Sequence, residues 1–501
     1  MQQIDDFLNR ITMYRLVLYL LIGLVGAALI LGFLGLLPYS PFDLGLTVAF
    51  LVSVGVVTNA VFARVFSAPT NVESVYISAL ILALIIPPFR LFDDVAFLFW
   101  AAVWTMAGKF ILAVNKKHIF NPVALAVAVT ALFLGRPANW WVGTGSMLPF
   151  VLASSFLIVR KIRRSEMVVT FLLTTLATSL ILGRLSGADL LTVIKEELIS
   201  SPLFFFAGIM FTEPLTTPPT KLLQQIYAVF VGVLFAPQIH LGSFYLTPEL
   251  SLLAGNIFSY LVSPRVKMVL RLDKIQKIAP DVYDLIFQPD QRLAFTPGQY
   301  MEWTLPHPNP DSRGNRRYFT LASSPTEGNL RIGVKFPQPV SSFKKNLLQP
   351  GKEIVASQLA GDFVLPGNRD QKIVLIAGGI GITPFRSMLK YLIDRGERRP
   401  ITLIYSNEVE EDIIYRDVFD EASKLGLKVV YTLTRSDHRT DWQGRVGRVD
   451  EQMILEEVPD YRESLFYVSG SHSLVTAMES LLLKLGIPRR RIKSDYFPGF
   501  A

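Results

Sequence analysis

The run from Ile376 to Leu389, IAGGIGITPFRSML, places Gly378, Gly379 and Gly381 between an apolar stretch and the dipeptide Thr383–Pro384. Glycines let a backbone come close to a pyrophosphate, and a helix beginning at Thr383 turns the positive end of its dipole toward that anion. Pro384 suits the first helical turn, where its missing N–H is not needed. A lone glycine-rich turn is a weak signal. Here it has company: Arg317–Tyr318–Phe319–Thr320 stands about 60 residues upstream, and Ser341 and Ser342 lie between. Near the end of the chain, YVSGSHSLVTAM carries Ser469 and Gly470.

The elements that must hold these residues follow from periodicity. From Gln371 onward the apolar runs KIVLIAGG, PITLIYS, KVVYTLT and SLFYVSGS alternate with helical segments, which predicts a parallel sheet with crossover helices over 368–501. Between Arg265 and about Pro366, β-type runs such as YDLIFQP and LRIGVKF are broken by Gly and Pro, which predicts a small antiparallel β-barrel over 265–367.

The first half differs. Of the 501 residues, 51% are hydrophobic and 18% charged, whereas soluble domains carry about 25% charged residues. The apolar excess lies between Met13 and Pro264, in runs that approach the roughly 20 residues a membrane helix needs. A polytopic α-helical membrane domain of about ten spans is expected over 1–264, with starts near Met13, Gly45, Val72, Asp94, Asn121, Trp141, Glu166, Leu198, Leu222 and Leu250. Basic residues gather on alternate connections: Lys116 and Lys117, Arg160 to Arg164, Lys221, then Arg265, Lys267 and Arg271. By the positive-inside rule both termini and the C-terminal half are then cytoplasmic, in a bacterial-type inner or cell membrane. The lipid bilayer is the expected partner. The formal net charge of +8 is accounted for by this arrangement, and no nucleic-acid partner is expected.

Composition also excludes chemistry. With no cysteine there is no disulfide, thiolate zinc site, cysteine-ligated iron–sulfur cluster or catalytic thiol. His118 and His240 are the two histidines of the first half and both read as loop residues, so a transmembrane haem is not expected. No metal site is expected.

FTPGQYMEW, running from Phe295 to Trp303, and the Arg317–Thr320 segment behind it resemble the Arg-x-Tyr/Phe-Ser/Thr motif of the ferredoxin–NADP reductase superfamily. The resemblance implies that 265–367 binds FAD and 368–501 binds NAD(P)H. Arg317 would pair with the FAD pyrophosphate, Tyr318 and Phe319 would supply the aromatic surface, and Thr320 would reach flavin N5. Ser341 and Ser342 stand where such reductases bind phosphate oxygens, and Gly361–Asp362–Phe363 resembles the segment that closes the barrel. Ser469 replaces the family's cysteine near the nicotinamide, followed by Gly470. YFPGF, ending at Phe500, resembles the aromatic segment that covers the flavin. Arg435 is a candidate for a 2′-phosphate, but the surrounding pattern is more similar to NADH-linked members; NADH is expected and NADPH stays open.

In the first half, SALILALIIPP from Ser78, Gly108–Lys109, Phe120–Asn121–Pro122 and Thr212–Glu213–Pro214 resemble the membrane flavin subunits of the Rnf complex (D subunit) and of the sodium-pumping NADH:quinone oxidoreductase (B subunit). Departures accompany the matches. The family's flavin-bearing threonine has no counterpart at Ser200–Ser201–Pro202–Leu203, so covalent FMN is not expected, while non-covalent FMN or riboflavin fits. Lys109, Asn121, Pro122, Thr212 and Glu213 are the membrane-site candidates. All but Thr212 also have a plainer reading: Asn121–Pro122 is an ordinary helix start, Lys109 a lysine reaching for the interface, and Glu213 a solvated cap.

Together these features predict a membrane-bound oxidoreductase that passes electrons from cytoplasmic NADH through FAD to a flavin, a quinone or a separate carrier. Two alternatives stay open: a redox-coupled ion or flavin transporter, and a cytoplasmic reductase that uses the membrane half as an anchor.

Overall fold

The computed structural model describes the chain except residues 1–3, 5, 6, 9, 10, 67–71, 90–93, 115, 116, 243, 264–266, 290, 291, 306, 308–314, 339, 350, 352, 436–441 and 498–501. It divides into two compact units, Met1–Arg265 and Val266–Ala501.

The first unit is helical, and apolar side chains fill its interior and also cover its surface. Its surface carries Leu132, Phe133, Leu173, Leu222 and Leu261, all exposed, while Thr47, Thr105, Thr175, Ser179 and Asn256 are buried. Such a surface calls for an apolar surrounding. Met13–Phe33, Pro41–Val65 and Ser165–Leu185 are long and apolar enough to cross a membrane, by length and composition. Glu73–Ile85, Val95–Phe110, Pro122–Leu134 and Lys221–Phe235 are apolar but shorter. Thr175 Oγ1 donates to the Gly232 carbonyl (3.1 Å) and Ser251 Oγ to that of Leu234 (2.8 Å), while Ser179 Oγ donates to Glu197 Oε2 (2.9 Å). Small residues let helices approach closely: a Cβ on Gly208 would lie 2.3 Å from Cβ of Ser155.

Two expected starts shift. The stretch from Trp141 opens as a single 3-10 turn, Trp141–Gly143, and its helix begins only at Leu148. The stretch from Leu198 is interrupted at Ser201, which is extended (ψ 157°) ahead of Pro202. A proline disfavours the helical region for the residue before it. The helix resumes at Leu203 and widens into a π turn at Phe206–Met210.

The second unit holds two six-stranded sheets. The first is antiparallel, in the order Arg316–Thr320, Tyr300–Thr304, Glu353–Ala360, Lys267–Ala279, Val282–Gln288, Leu330–Lys335. Its end strands approach each other where the Ala322 N–H donates to the Arg331 carbonyl (2.8 Å). Met268, Leu270, Leu285, Phe287, Met301 and Trp303 are part of its core.

The second sheet is parallel, in the order Arg445–Val446, Lys428–Leu433, Ile401–Asn407, Ile373–Gly378, Leu465–Ser471, Ile492–Phe497. Both faces are covered. Ile373, Leu375 and Ala377 pack with Phe385 and Phe419, while Val374 and Ile376 pack with Ile454 and Val475 on the other side. Burial on both faces is why these strands read as continuous apolar runs.

Candidate functional site

Strand order locates the site. The chain leaves Ile373–Gly378, adds strands on one side as far as Arg445–Val446, then returns to pair Leu465–Ser471 on the other side. Ligands of such sheets bind at the carboxyl ends of the strands where this reversal occurs. At that point Ala377 is in register with Ser469, and the glycine turn Gly379–Ile382 lies against Ser469–Gly470. A Cβ on Gly381 would meet the Ser469 carbonyl at 2.4 Å and the Gly470 Cα at 2.6 Å, so no side chain fits there. Gly379 has φ +52° with open space where a Cβ would stand, and Gly470 has φ +157°.

The helix Thr383–Arg395 follows with Pro384 in its first turn. The Thr383 hydroxyl donates to the Ile380 carbonyl (3.2 Å) and braces the turn. Ser469 is fully buried and its Oγ has no hydrogen-bond partner, a polar group left over beside the glycine turn.

The Arg317–Thr320 residues divide between two faces, because side chains of a strand alternate. Arg317 and Phe319, both buried, face Phe343: the guanidinium carbon lies 4.9 Å from the Phe343 ring and the Phe319 ring 6.2 Å from it. Tyr318 is on the opposite face, half exposed, donating to Glu302 Oε2 (3.0 Å) and meeting Tyr300 edge-on. Tyr318 is therefore not grouped with Arg317 and Phe319. Thr320 is buried at the strand end.

Ser341 caps the Ser342–Leu347 helix, its Oγ accepting from Lys344 N–H (3.3 Å). The Ser342 hydroxyl instead lies 3.3 Å from Nε2 of His307. His307 had no motif to announce it and joins the Arg317 face through Phe343, against whose ring it sits edge-on (6.1 Å).

Arg435 projects into solvent and forms an ion pair with Glu408 (3.2 Å). Phe500 lies outside the described residues.

Sequence reasoning missed the joint between the two sheets. Arg386 Nη1 donates to the Ala322 carbonyl (2.7 Å) and to Glu327 Oε2 (2.6 Å), and Nη2 to Glu327 Oε1 (2.9 Å). The Ser387 hydroxyl donates to the Ser323 carbonyl (2.6 Å). Asp284, fully buried, accepts from Arg331 (2.8 Å) and from the Tyr415 hydroxyl. Burial pushes the Asp284 carboxyl up, against the pull of Tyr415 and Arg331. Burial also works to raise Glu327, but the Arg386 guanidinium prevails and holds it below the usual carboxylate range. Neither partner pair has a local sequence signal, since each bridges distant segments.

In the first unit the structure groups Asn121, Glu213 and Asn256. Asn121 Nδ2 donates to Glu213 Oε2 (2.9 Å), and the Asn121 backbone N–H donates to Asn256 Oδ1 (2.7 Å). Asn121 Oδ1 accepts from Val123 and Ala124 N–H (3.1 and 3.0 Å), so the amide caps the helix that Pro122 begins. Those two donors are thus engaged internally. Thr212 is buried and bonds to the Gly208 carbonyl (2.9 Å), a local helical contact. Lys109 donates to the Ser74 carbonyl and hydroxyl (2.9 and 3.0 Å).

Comparison with known proteins matches these two regions to separate families. Residues 95–268 match the NQR2, RnfD, RnfE family, and residues 375–480 match the oxidoreductase NAD-binding domain. The flavohemoprotein of Bacillus subtilis (strain 168) is 32% identical over 207 residues, 40% of this chain and 51% of that protein. Ferredoxin–NADP reductase B of Sorangium cellulosum is 26% identical over 243 residues, 45% of this chain and 96% of that protein. Among solved structures, the Amycolatopsis cytochrome P450 reductase GcoB is 22% identical, with 47% of this chain and 71% of that one covered at a TM-score of 0.42. The chain spans 51% of the B. subtilis flavohemoprotein, 52% of its Burkholderia sp. (strain TH2) counterpart and 56% of that from Oceanobacillus iheyensis. The sequence joins a segment of the NQR2, RnfD, RnfE family to a reductase-type NAD-binding domain, as the two resemblances implied.

Proposed function

We propose that this protein is a membrane-bound, FAD-dependent NAD(P)H oxidoreductase that takes hydride from NADH on its C-terminal unit and delivers electrons to an acceptor in or across the membrane. The observation that carries this reading is the seating of Gly381 against Ser469 and Gly470 at the sheet's reversal point, with the Arg317 segment tied to the same helix. The buried, unpartnered Ser469 hydroxyl and the glycine turn fit a nicotinamide nucleotide, and the Arg317 guanidinium over the Phe343 ring, against which His307 also packs, fits the phosphates of FAD.

When bound, FAD accepts a hydride and releases electrons singly. The chain's own residues orient the partners. The Gly378–Gly381 backbone and the start of the Thr383 helix would hold the nucleotide phosphates, and Thr320 and Ser469 would border the reacting rings. Arg435 is already paired with Glu408, whose carboxylate would face a 2′-phosphate, and this favours NADH.

Residues 1–264 then form the electron-transfer half, 265–367 the FAD part and 368–501 the NADH part, with both termini and the C-terminal unit cytoplasmic. About ten spans fit the run of helices from Met13 to Val262. A non-covalent FMN or riboflavin, or a quinone, would be the acceptor nearest Asn121, Glu213 and Asn256. Their hydrogen bonds, buried at Asn256 and partly buried at Glu213, favour a working membrane half over a bare anchor, since an anchor needs no carboxylate network.

Reconstitution of the full chain in liposomes with and without a membrane quinone tests the proposal. NADH oxidation that requires the quinone supports it. Turnover with a soluble acceptor alone, unaffected by the quinone or by Glu213→Gln, would return the membrane half to an anchor or a transporter.

A further inference from the structure

The Thr383–Arg395 helix and the segment just past the Arg316–Thr320 strand are held together by side-chain hydrogen bonds. Arg386 lies on the Thr383–Arg395 helix, three residues after Thr383, and its fork is shared between the Ala322 carbonyl and both oxygens of Glu327. Ala322 and Ser323 come directly after Thr320 and Leu321 on the other sheet, and Ser387 fixes Ser323 by a second bond. Glu327 is itself anchored, accepting from the Ser324 N–H (2.7 Å). Around this pair stand Tyr415, whose ring lies 5.5 Å from the Arg386 guanidinium, and Asp284, which receives both Tyr415 and Arg331.

Two features set this joint apart from ordinary surface pairing. Arg386 and Asp284 are almost wholly buried, so the charges are screened little by solvent. Tyr415 keeps a left-handed backbone (φ 61°) while its hydroxyl reaches Asp284. Two guanidiniums, two carboxylates and a phenol thus meet in one joint.

Resting on the function proposed above, we infer that Arg386, with Glu327 and Ser387, is a positioning residue for hydride transfer. It fixes how far the Gly378–Gly381 turn stands from Thr320, and so how far the hydride must travel. Reacting atoms need to approach to about 3–3.5 Å, and a misplacement of 1 Å can cost about 100-fold in rate. The Arg386 guanidinium is taken up by Ala322 and Glu327, so its loss is expected to act on the rate of transfer and to leave binding in place.

The test uses the full chain in detergent, with anaerobic stopped-flow reduction of the bound flavin by NADH. Arg386→Met and Glu327→Gln are expected to lower the limiting rate by roughly 10- to 100-fold. FAD content and half-saturating NADH should stay within about twofold, the signature of a rate effect without a binding effect. Arg386→Lys, which keeps the charge but loses the fork, should fall between wild type and Arg386→Met. Ser387→Ala, a milder change, serves if Arg386→Met does not fold, and should show a smaller loss of the same kind. A wild-type limiting rate in the variants, or a loss that tracks FAD content, overturns the inference. Wild-type protein that holds FAD but is not reduced by NADH instead overturns the underlying function.

Discussion

Gly381 and Gly470 stand so close that a Cβ on the first would lie 2.6 Å from the Cα of the second. The contact joins the glycine turn to the neighbouring parallel strand, where the order of strand addition reverses. Backbone lies on both sides, so the overlap cannot be relieved by turning a side chain. Gly381→Ala should therefore cost about 1–3 kcal/mol in stability, the usual range for overpacking. It should also weaken NADH-dependent flavin reduction more than tenfold while FAD is retained. Flavin content and reduction rate measured on the same preparation check this; a variant with normal NADH kinetics would contradict it.

Arg317 tests the flavin side separately. Charge-assisted hydrogen bonds contribute about 1.5–3 kcal/mol, so Arg317→Ala should weaken FAD binding by roughly 10- to 100-fold. Arg317→Lys should lose less, because a point charge remains without the fork. Equilibrium dialysis of released FAD gives the comparison. Full FAD retention in Arg317→Ala would remove Arg317 from the site.

The joint at Glu327 predicts a pH dependence of stability. Its carboxyl is held below the ordinary value of 4.5 in the folded protein. The stabilisation it gives is complete above that value and is lost as pH falls through the lower, folded one. Asp284 has the opposite sign: its raised folded value means stability falls as pH rises through the window above 3.8. Glu327→Gln should then melt earlier than wild type at neutral pH, by about 1–3 kcal/mol, and the gap should close below pH 4.5. A gap that stays constant into acid would show that Glu327 is not the linked group.

How much of this was legible in the sequence depends on the range of the signal. The glycine turn, the parallel strands and the change of composition near residue 265 all rest on contiguous residues, and each reads directly. The division of Tyr318 from Arg317 and Phe319 follows from strand alternation, once the segment is known to be extended. Arg386 was opaque for another reason. An arginine in the amphipathic run TPFRSMLKYLIDR reads as a solvated position, and only packing against Ala322 and Glu327 buries it. Asn121 could be read as a cap, but its partner Asn256 lies 135 residues away. Thr212 came from family resemblance, and its hydroxyl goes to its own helix at Gly208.

The membrane cluster gives a prediction that separates structure from function. Asn121→Ala removes a cap, which costs about 1 kcal/mol, and also takes the amide donor away from Glu213. Asn121→Asp keeps a capping oxygen but sets a second carboxylate against Glu213. If the cluster serves electron delivery, both variants should slow quinone-dependent NADH oxidation while NADH reduction of the flavin itself is unchanged. Equal quinone rates in both variants and wild type would limit Asn121 to its capping role.

The most direct measurement is an anaerobic NADH titration of the purified full chain in detergent, followed by flavin absorbance. FAD, FMN and riboflavin released by acid are counted in the same sample. About one FAD per chain is expected, bleached by about one equivalent of NADH, with any second flavin released without a covalent bond. Protein that carries no FAD, or FAD that stays oxidised under excess NADH, would contradict it.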